Sequence, residues 1–281
     1  MDEKQSQLEW EARVGRLAAL AAWLAAALIL ATFAYRIAGL PRGADNAKEF
    51  LPKVHAHESA FIVSGVLVGI AMLAFIPPLL YLYRVTRFRR PELPAVTRYL
   101  VVAGPVLYAI CSIWLQARYL HAADQFVAGE VKTNKHAEHL ISSATAAPAG
   151  LSLAASIAIG LSTILISLNA MRAGLLSRFM GVLGVILGAL FVLPLIASPI
   201  IQLFWLLALG ALLMDRWPGG RGPAWETGEP APWPTAQDRL GAPGADGSGD
   251  EDDEEPEAEP EPERAVTPRS SRKRRKRKAR R

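Results

Sequence analysis

The chain has 281 residues, is 51% hydrophobic and carries a formal charge of +5. Averaged in this way it resembles an ordinary basic protein, but its apolar residues are gathered in long uncharged runs, and runs of about 18 or more are membrane-span candidates. The single cysteine, Cys111, lies inside such a run and excludes an intrachain disulfide, a CxxC redox pair and a four-cysteine zinc site.

Residues 1–16, "MDEKQSQLEWEARVGR", precede the first run, Leu17 to Tyr35. That leader is more acidic than basic, and the run exceeds the roughly 7–15 apolar residues of a signal-peptide core, which predicts an uncleaved anchor. The second run is Ala60 to Leu82, with Pro77 and Pro78 expected to kink it near its far end. The third is Tyr99 to Leu115, with Pro105 inside, and the fourth is Leu151 to Leu168. A fifth and sixth share Phe179 to Met214, separated by "PLIASP". Two full crossings need about 20 residues each, so this pair is expected as short spans or a re-entrant hairpin. The expected fold is all-α: a polytopic transmembrane helix bundle of about six spans over residues 17–214. Exterior loops are expected near 37–59 and 117–149, with a disordered cytoplasmic tail from 215 to 281.

Orientation follows from Lys and Arg in the short flanking segments. The N-terminal segment, the connection holding Arg84, Arg87, Arg89, Arg90 and Arg98, the one holding Arg172 and Arg178, and the residues just past the last run carry 12 of them. The opposite side carries 7. Both termini are therefore expected in the cytoplasm.

No Asp, Glu, Lys, Arg or His lies in the middle of any run. Ion-coupled transporters and pumps usually need an intramembrane ionisable group, and haem in a bundle usually needs axial histidines. HExxH, Gly-x-Ser-x-Gly and phosphate-loop motifs are missing too. The expectation is accordingly no enzyme, no catalytic residue and no obligatory cofactor. Ser152, Ser156, Gly160, Thr163 and Ser167 share one face of the fourth run at helical spacing. Such a face serves tight helix packing or lines a path for a small solute. All five histidines, His55, His57, His121, His136 and His139, fall in the expected exterior loops with Glu58, Asp124 and Glu138 close by. Imidazole with carboxylate can hold a divalent transition metal, so these five are the candidate metal set; solvated or pH-responsive loop histidines are the alternative.

The stretch "NAMRAGLLSRFMGVLGVILGALFVLP", with "RWPGGRGPAWETGEPAPWP" after the last run, resembles a group of uncharacterised multi-pass bacterial membrane proteins. The resemblance is carried by Arg172, Gly174, Arg178, Gly181 and Gly184, then Trp217, Gly219, Gly220, Trp225 and Trp233. It implies a bacterial plasma membrane and no particular activity. Trp217, Trp225 and Trp233 are expected along the inner headgroups, where tryptophan concentrates, with a Pro-rich docking motif for another protein as the alternative. Beyond them, 10 of 14 residues from Asp250 to Glu263 are acidic, and 10 of 13 from Arg269 to Arg281 are basic. Besides the bilayer, the expected partners are anionic lipid headgroups touched by the basic block, and RNA or an acidic protein that displaces them; a homo-oligomer is left open. Taken together, these features favour a non-catalytic membrane scaffold or sensor. The alternatives are a passive small-solute transporter lined by the fourth run and an exterior metal-binding protein.

Overall fold

The computed structural model describes residues 3–39, 44–193, 199–218 and 220–233. Every regular element among them is a helix: α1 (Glu3–Gly39), α2 (Ala47–Ala56), α3 (Glu58–Ala74), α4 (Ile76–Arg89), α5 (Val96–Ala128), α6 (Asn134–Arg172), α7 (Arg178–Val192), α8 (Ile200–Leu213) and the short α9 (Ala224–Thr227). Four stretches are long and apolar enough to cross a bilayer: α1, α3 with α4, α5 and α6. This is a membrane protein. Leu17 and Leu24 of α1, Ile110 of α5, Leu153 of α6 and Phe179 of α7 all face outward. In water such a surface would be an aggregation hazard, and in lipid it is the natural one. With 15 and 14 residues, α7 and α8 are shorter than the roughly 20 of a full crossing.

Proline places the one break in the second span. Helix α3 stops at Ala74, Phe75 bridges, and Pro77 and Pro78 open α4 at positions where their missing N–H groups cost nothing. Pro52, Pro105 and Pro148 sit inside helices that continue through them. The buried stripe of α1 is made of small side chains: Gly15, Ala18, Ala22, Ala25, Ile29 and Thr32 recur every three or four residues. Small residues let α8 approach closely, and Trp23 Nε1 donates to Leu207 O beside Gly210. The main core lies where α1, α4, α6, α7 and α8 meet, around Phe75, Leu79, Ile159, Ile166 and Trp205.

The segments expected as exterior loops are largely helical. Helix α5 has 33 residues and α6 has 39, about 50 and 58 Å long, against a hydrocarbon layer of about 30 Å. Their far ends project beyond the apolar windows and pack against α2. This cap has its own core of Leu51, Val54, Phe61, Ala122, Ala123, Phe126 and Ala137, with Phe50 edge-on to Phe61 and Tyr119. Its ends are closed by side chains. Asn46 accepts from Glu49 N, Thr133 accepts from His136 N, and Lys132 Nζ donates to the last carbonyls of α5 at Phe126 and Val127.

At the opposite end the expectation of disorder from residue 215 onward is corrected for the residues that lead up to Trp233. Residues 216–218 and 220–233 follow a defined path, with Ala224 and Trp225 buried. Disorder was expected there because no helix or strand period is visible. The segment is held instead by backbone and indole hydrogen bonds to the bundle, which leave no periodic trace. The acidic and basic blocks lie outside the described residues.

Candidate functional site

The α1 stripe continues backward with the same spacing. From Gly15 it reaches Glu11 and Gln7, and both are buried. Opposite them the last turn of α4 carries Arg89, whose side chain is 0% exposed. Arg89 Nη1 donates to Glu11 Oε1 at 2.7 Å and Nη2 to Glu11 Oε2 at 3.0 Å, a bidentate pair. Nη1 also donates to Val85 O at 3.2 Å, and Nε donates to Ala224 O at 2.8 Å. Gln7 Nε2 donates to Glu11 Oε1 at 3.0 Å, and Tyr81 Oη donates to Glu11 O at 3.1 Å. One guanidinium thus joins α1, α4 and the segment that follows the last apolar helix. Both charges were assigned by sequence to a cytoplasmic leader and a connecting loop. The signal that could have placed Glu11 is its phase with the alanine stripe.

Aromatic rings extend this latch. Trp10 stacks on Tyr81 (centroids 5.5 Å apart), and Tyr81 lies near-parallel to Trp225 (6.4 Å). Arg84 lies over the Trp10 ring at 3.9 Å, and Arg221 lies 5.2 Å from the Trp225 ring. These distances suit cation–π attraction.

The two halves of the quoted motif meet here. Helix α6 ends in a Schellman turn: Gly174 takes φ +73°, its N–H donates to Met171 O, and Leu175 N donates to Ala170 O. Ser177 then caps α7 by accepting from Met180 N. The post-bundle segment docks on this turn, with Trp225 Nε1 donating to Leu175 O and Ala231 N to Ala173 O. Arg221 donates to Leu212 O and Leu213 O, covering the open carbonyls of α8. Trp225 is therefore docked in the protein rather than spread along headgroups, and Trp217 and Trp233 are half-buried beside it. Lys4 closes the rim on Glu229 at 2.7 Å, and that hydrogen bond holds the Glu229 carboxyl below the usual carboxylate range.

At the cap end the five histidines separate. His55 Nδ1 lies 2.8 Å from Asp124 Oδ1 and 3.4 Å from Glu58 Oε1, and the three donor atoms lie within 4.8 Å of one another. All three side chains are exposed. His57 Nδ1 meets Lys53 O, His121 Nε2 meets Gln125, and the His136 ring tilts against Phe126. His139 begins the next turn of α6, its carbonyl accepting from Ser142. Among the described residues, none of these four joins a three-ligand group. Glu58, three residues on in the chain, and Asp124, brought in from α5, are the carboxylates that lie beside His55.

The small-residue face of α6 meets α7. Gly160, Thr163 and Ser167 are buried; Ser152 and Ser156 are half-buried. A Cβ built on Gly160 would lie 2.5 Å from Gly188 O, and one on Gly188 would lie 2.6 Å from Gly160 O. Thr163 Oγ1 donates back to Ile159 O, and Ser167 packs beside Gly184.

A family described as a domain of unknown function, DUF4386, matches residues 17–215. The chain belongs to that family. No curated protein and no solved structure matches it. The DUF4386 region contains the apolar helices, the cap and Arg89, but it starts after Glu11 and ends before Ala224. The latch therefore ties two flanking segments onto the family domain.

Proposed function

We propose that this protein is a non-catalytic scaffold of a bacterial plasma membrane, with both termini cytoplasmic and the charged C-terminal tail as its working arm. The observation that carries the reading is the Arg89 latch. A buried ion pair contributes little more than apolar packing would, since desolvation offsets most of its attraction; what it supplies is one fixed geometry. Here that geometry fastens Glu11 and Ala224 to α4, so the chain that leads to the tail leaves the bundle from a defined place. Four of the five Arg89 N–H groups are used, and Glu11 accepts from Arg89 and Gln7, an arrangement suited to holding rather than to proton transfer. The tail joins a basic block to an acidic one, which suits reversible capture of RNA or an acidic protein near anionic headgroups. Purifying the full chain beside a chain ending at Trp233 tests this. Captured RNA or acidic protein should accompany only the full chain, and the truncated bundle should melt at the same temperature. Identical co-purifying components in the two preparations would overturn it.

A second reading is favoured by the His55, Glu58 and Asp124 cluster: a sensor whose cap binds zinc or another divalent transition metal. Tetrahedral donors around zinc sit about 3.3 Å apart, close to the 2.8 and 3.4 Å separations of His55 Nδ1 from its two carboxylates. Without an ion the same contact is a hydrogen bond pinning α2 to α5. Metal would thus strengthen a contact that already joins α2 to the far end of α5.

A further inference from the structure

Five arginines lie around the α4–α5 connection, and they divide sharply. Arg89 is neutralised by Glu11 and Arg90 by Glu92. Arg84, Arg87 and Arg98 have no carboxylate partner among the described residues. All three line one cavity of about 860 Å³. Its other walls include Leu80, Tyr83, Phe88, Tyr99, Val102 and Gln7, and no carboxylate is among its lining residues.

The lining is ordered by depth. On α4, Leu80, Tyr83 with Arg84, and Arg87 form a single stripe at spacings of three and four, and α5 returns antiparallel with Ala95, Arg98 with Tyr99, and Val102. Leu80 and Val102 are the pair farthest from the connection, and Arg87 is about 10 Å nearer to it along α4. The cavity is cationic at its mouth and apolar toward the bilayer. The arginines are held in place by π-systems and hydroxyls that leave their charge uncancelled. Arg84 lies 3.9 Å over Trp10, Arg87 donates to Tyr83 Oη at 2.7 Å, and Arg98 lies 5.4 Å from the Tyr99 ring.

We propose that this cavity is a binding site for an anionic phospholipid, its phosphate held by Arg84, Arg87 and Arg98 and an acyl chain lying along Leu80 and Val102. Planar guanidiniums match phosphate oxygens in pairs, and three of them around one space demand a counter-charge that the described protein does not provide. The apolar floor selects a lipid over a free phosphate, which would leave Leu80 and Val102 facing water. None of the lining residues belongs to the basic block of the tail. The cavity also borders the latch through Gln7, whose amide donates to Glu11.

The test is lipid retention by the full chain, purified in neutral detergent and read by native mass spectrometry after exposure to phosphatidylglycerol or phosphatidylcholine. Wild type should retain phosphatidylglycerol and shed phosphatidylcholine. Arg84→Gln/Arg98→Gln should weaken retention by about tenfold to thirtyfold, from roughly one interfacial charge contribution per arginine. Arg98→Gln alone decides the matter should the double variant unfold, since Arg98 is exposed and its ring contact is the exposed Tyr99. Arg13→Gln, on an exposed face of α1, should retain lipid as wild type does and controls for the loss of an arginine elsewhere, and the same comparison in the chain ending at Trp233 removes binding by the tail. Millimolar glycerol phosphate should not displace the lipid. Equal retention by wild type and both cavity variants, or equal retention of the two lipids, overturns the proposal. Full displacement by glycerol phosphate overturns the lipid assignment in favour of a free phosphate compound.

Discussion

Replacing Arg89 with methionine should detach the root of the tail and soften the bundle. The change removes four hydrogen bonds: two to Glu11, one to Val85 O and one to Ala224 O. It leaves the Glu11 carboxylate, 5% exposed, with only the Gln7 amide as a side-chain partner. Removing one member of a buried ion pair costs about 3–5 kcal/mol, because the other charge stays buried and uncompensated. For a domain of this size that is a melting-temperature loss on the order of 10 °C. Glu11→Met should cost a similar amount. In the double variant no unpaired charge remains, and the loss should shrink to about 1–2 kcal/mol, the residue being the bare Ala224 carbonyl. Thermal melts in detergent give the cycle, and limited trypsin digestion gives the local consequence. Arg221 is half-buried and bound to Leu212 O and Leu213 O, so wild type should resist cleavage there, whereas Arg89→Met should be cut. Melts unchanged by either single replacement, or a double variant worse than the sum of the singles, would refute the reasoning.

Gly174→Ala should release the same segment from the other side. A Cβ there would sit 1.6 Å from Ala231 O on a backbone at φ +73°, which alone disfavours alanine by about 1–2 kcal/mol, and tryptic cleavage at Arg221 should increase as for Arg89→Met. Gly188→Ala should force α6 and α7 apart, because the added Cβ would meet the Gly160 carbonyl oxygen at 2.6 Å and Ile164 N at 3.0 Å, backbone atoms that no rotamer change can move; a loss of about 1–3 kcal/mol is expected in the same melts. On the cap, calorimetry with zinc should show binding that vanishes in His55→Ala and persists when His136 and His139 are both replaced. A heat trace indifferent to His55→Ala would remove the metal reading.

The sequence by itself determined the class. Uncharged runs at Leu17, Ala60, Tyr99 and Leu151 are readable as spans because a bilayer imposes one long apolar window per crossing. Pro77 and Pro78 marked the break before α4, since proline cannot donate to the helix ladder. The small face of α6 was legible from spacing alone, and its neighbour α7 offers Gly184 and Gly188 in return. Tertiary structure decided what the charged residues do. Glu11 and Arg89 are 78 positions apart, and neither looks buried in its local context, because hydropathy averages over neighbours and cannot register a partner on another helix. His55 finds Asp124 rather than another histidine for the same reason: proximity across α2 and α5 is set by the Leu51, Val54 and Phe126 core beneath them. The order in residues 216–218 and 220–233 rests on single hydrogen bonds to Leu175, Ala173 and Arg89, contacts that carry no period and become visible only once the helices they close upon are in place.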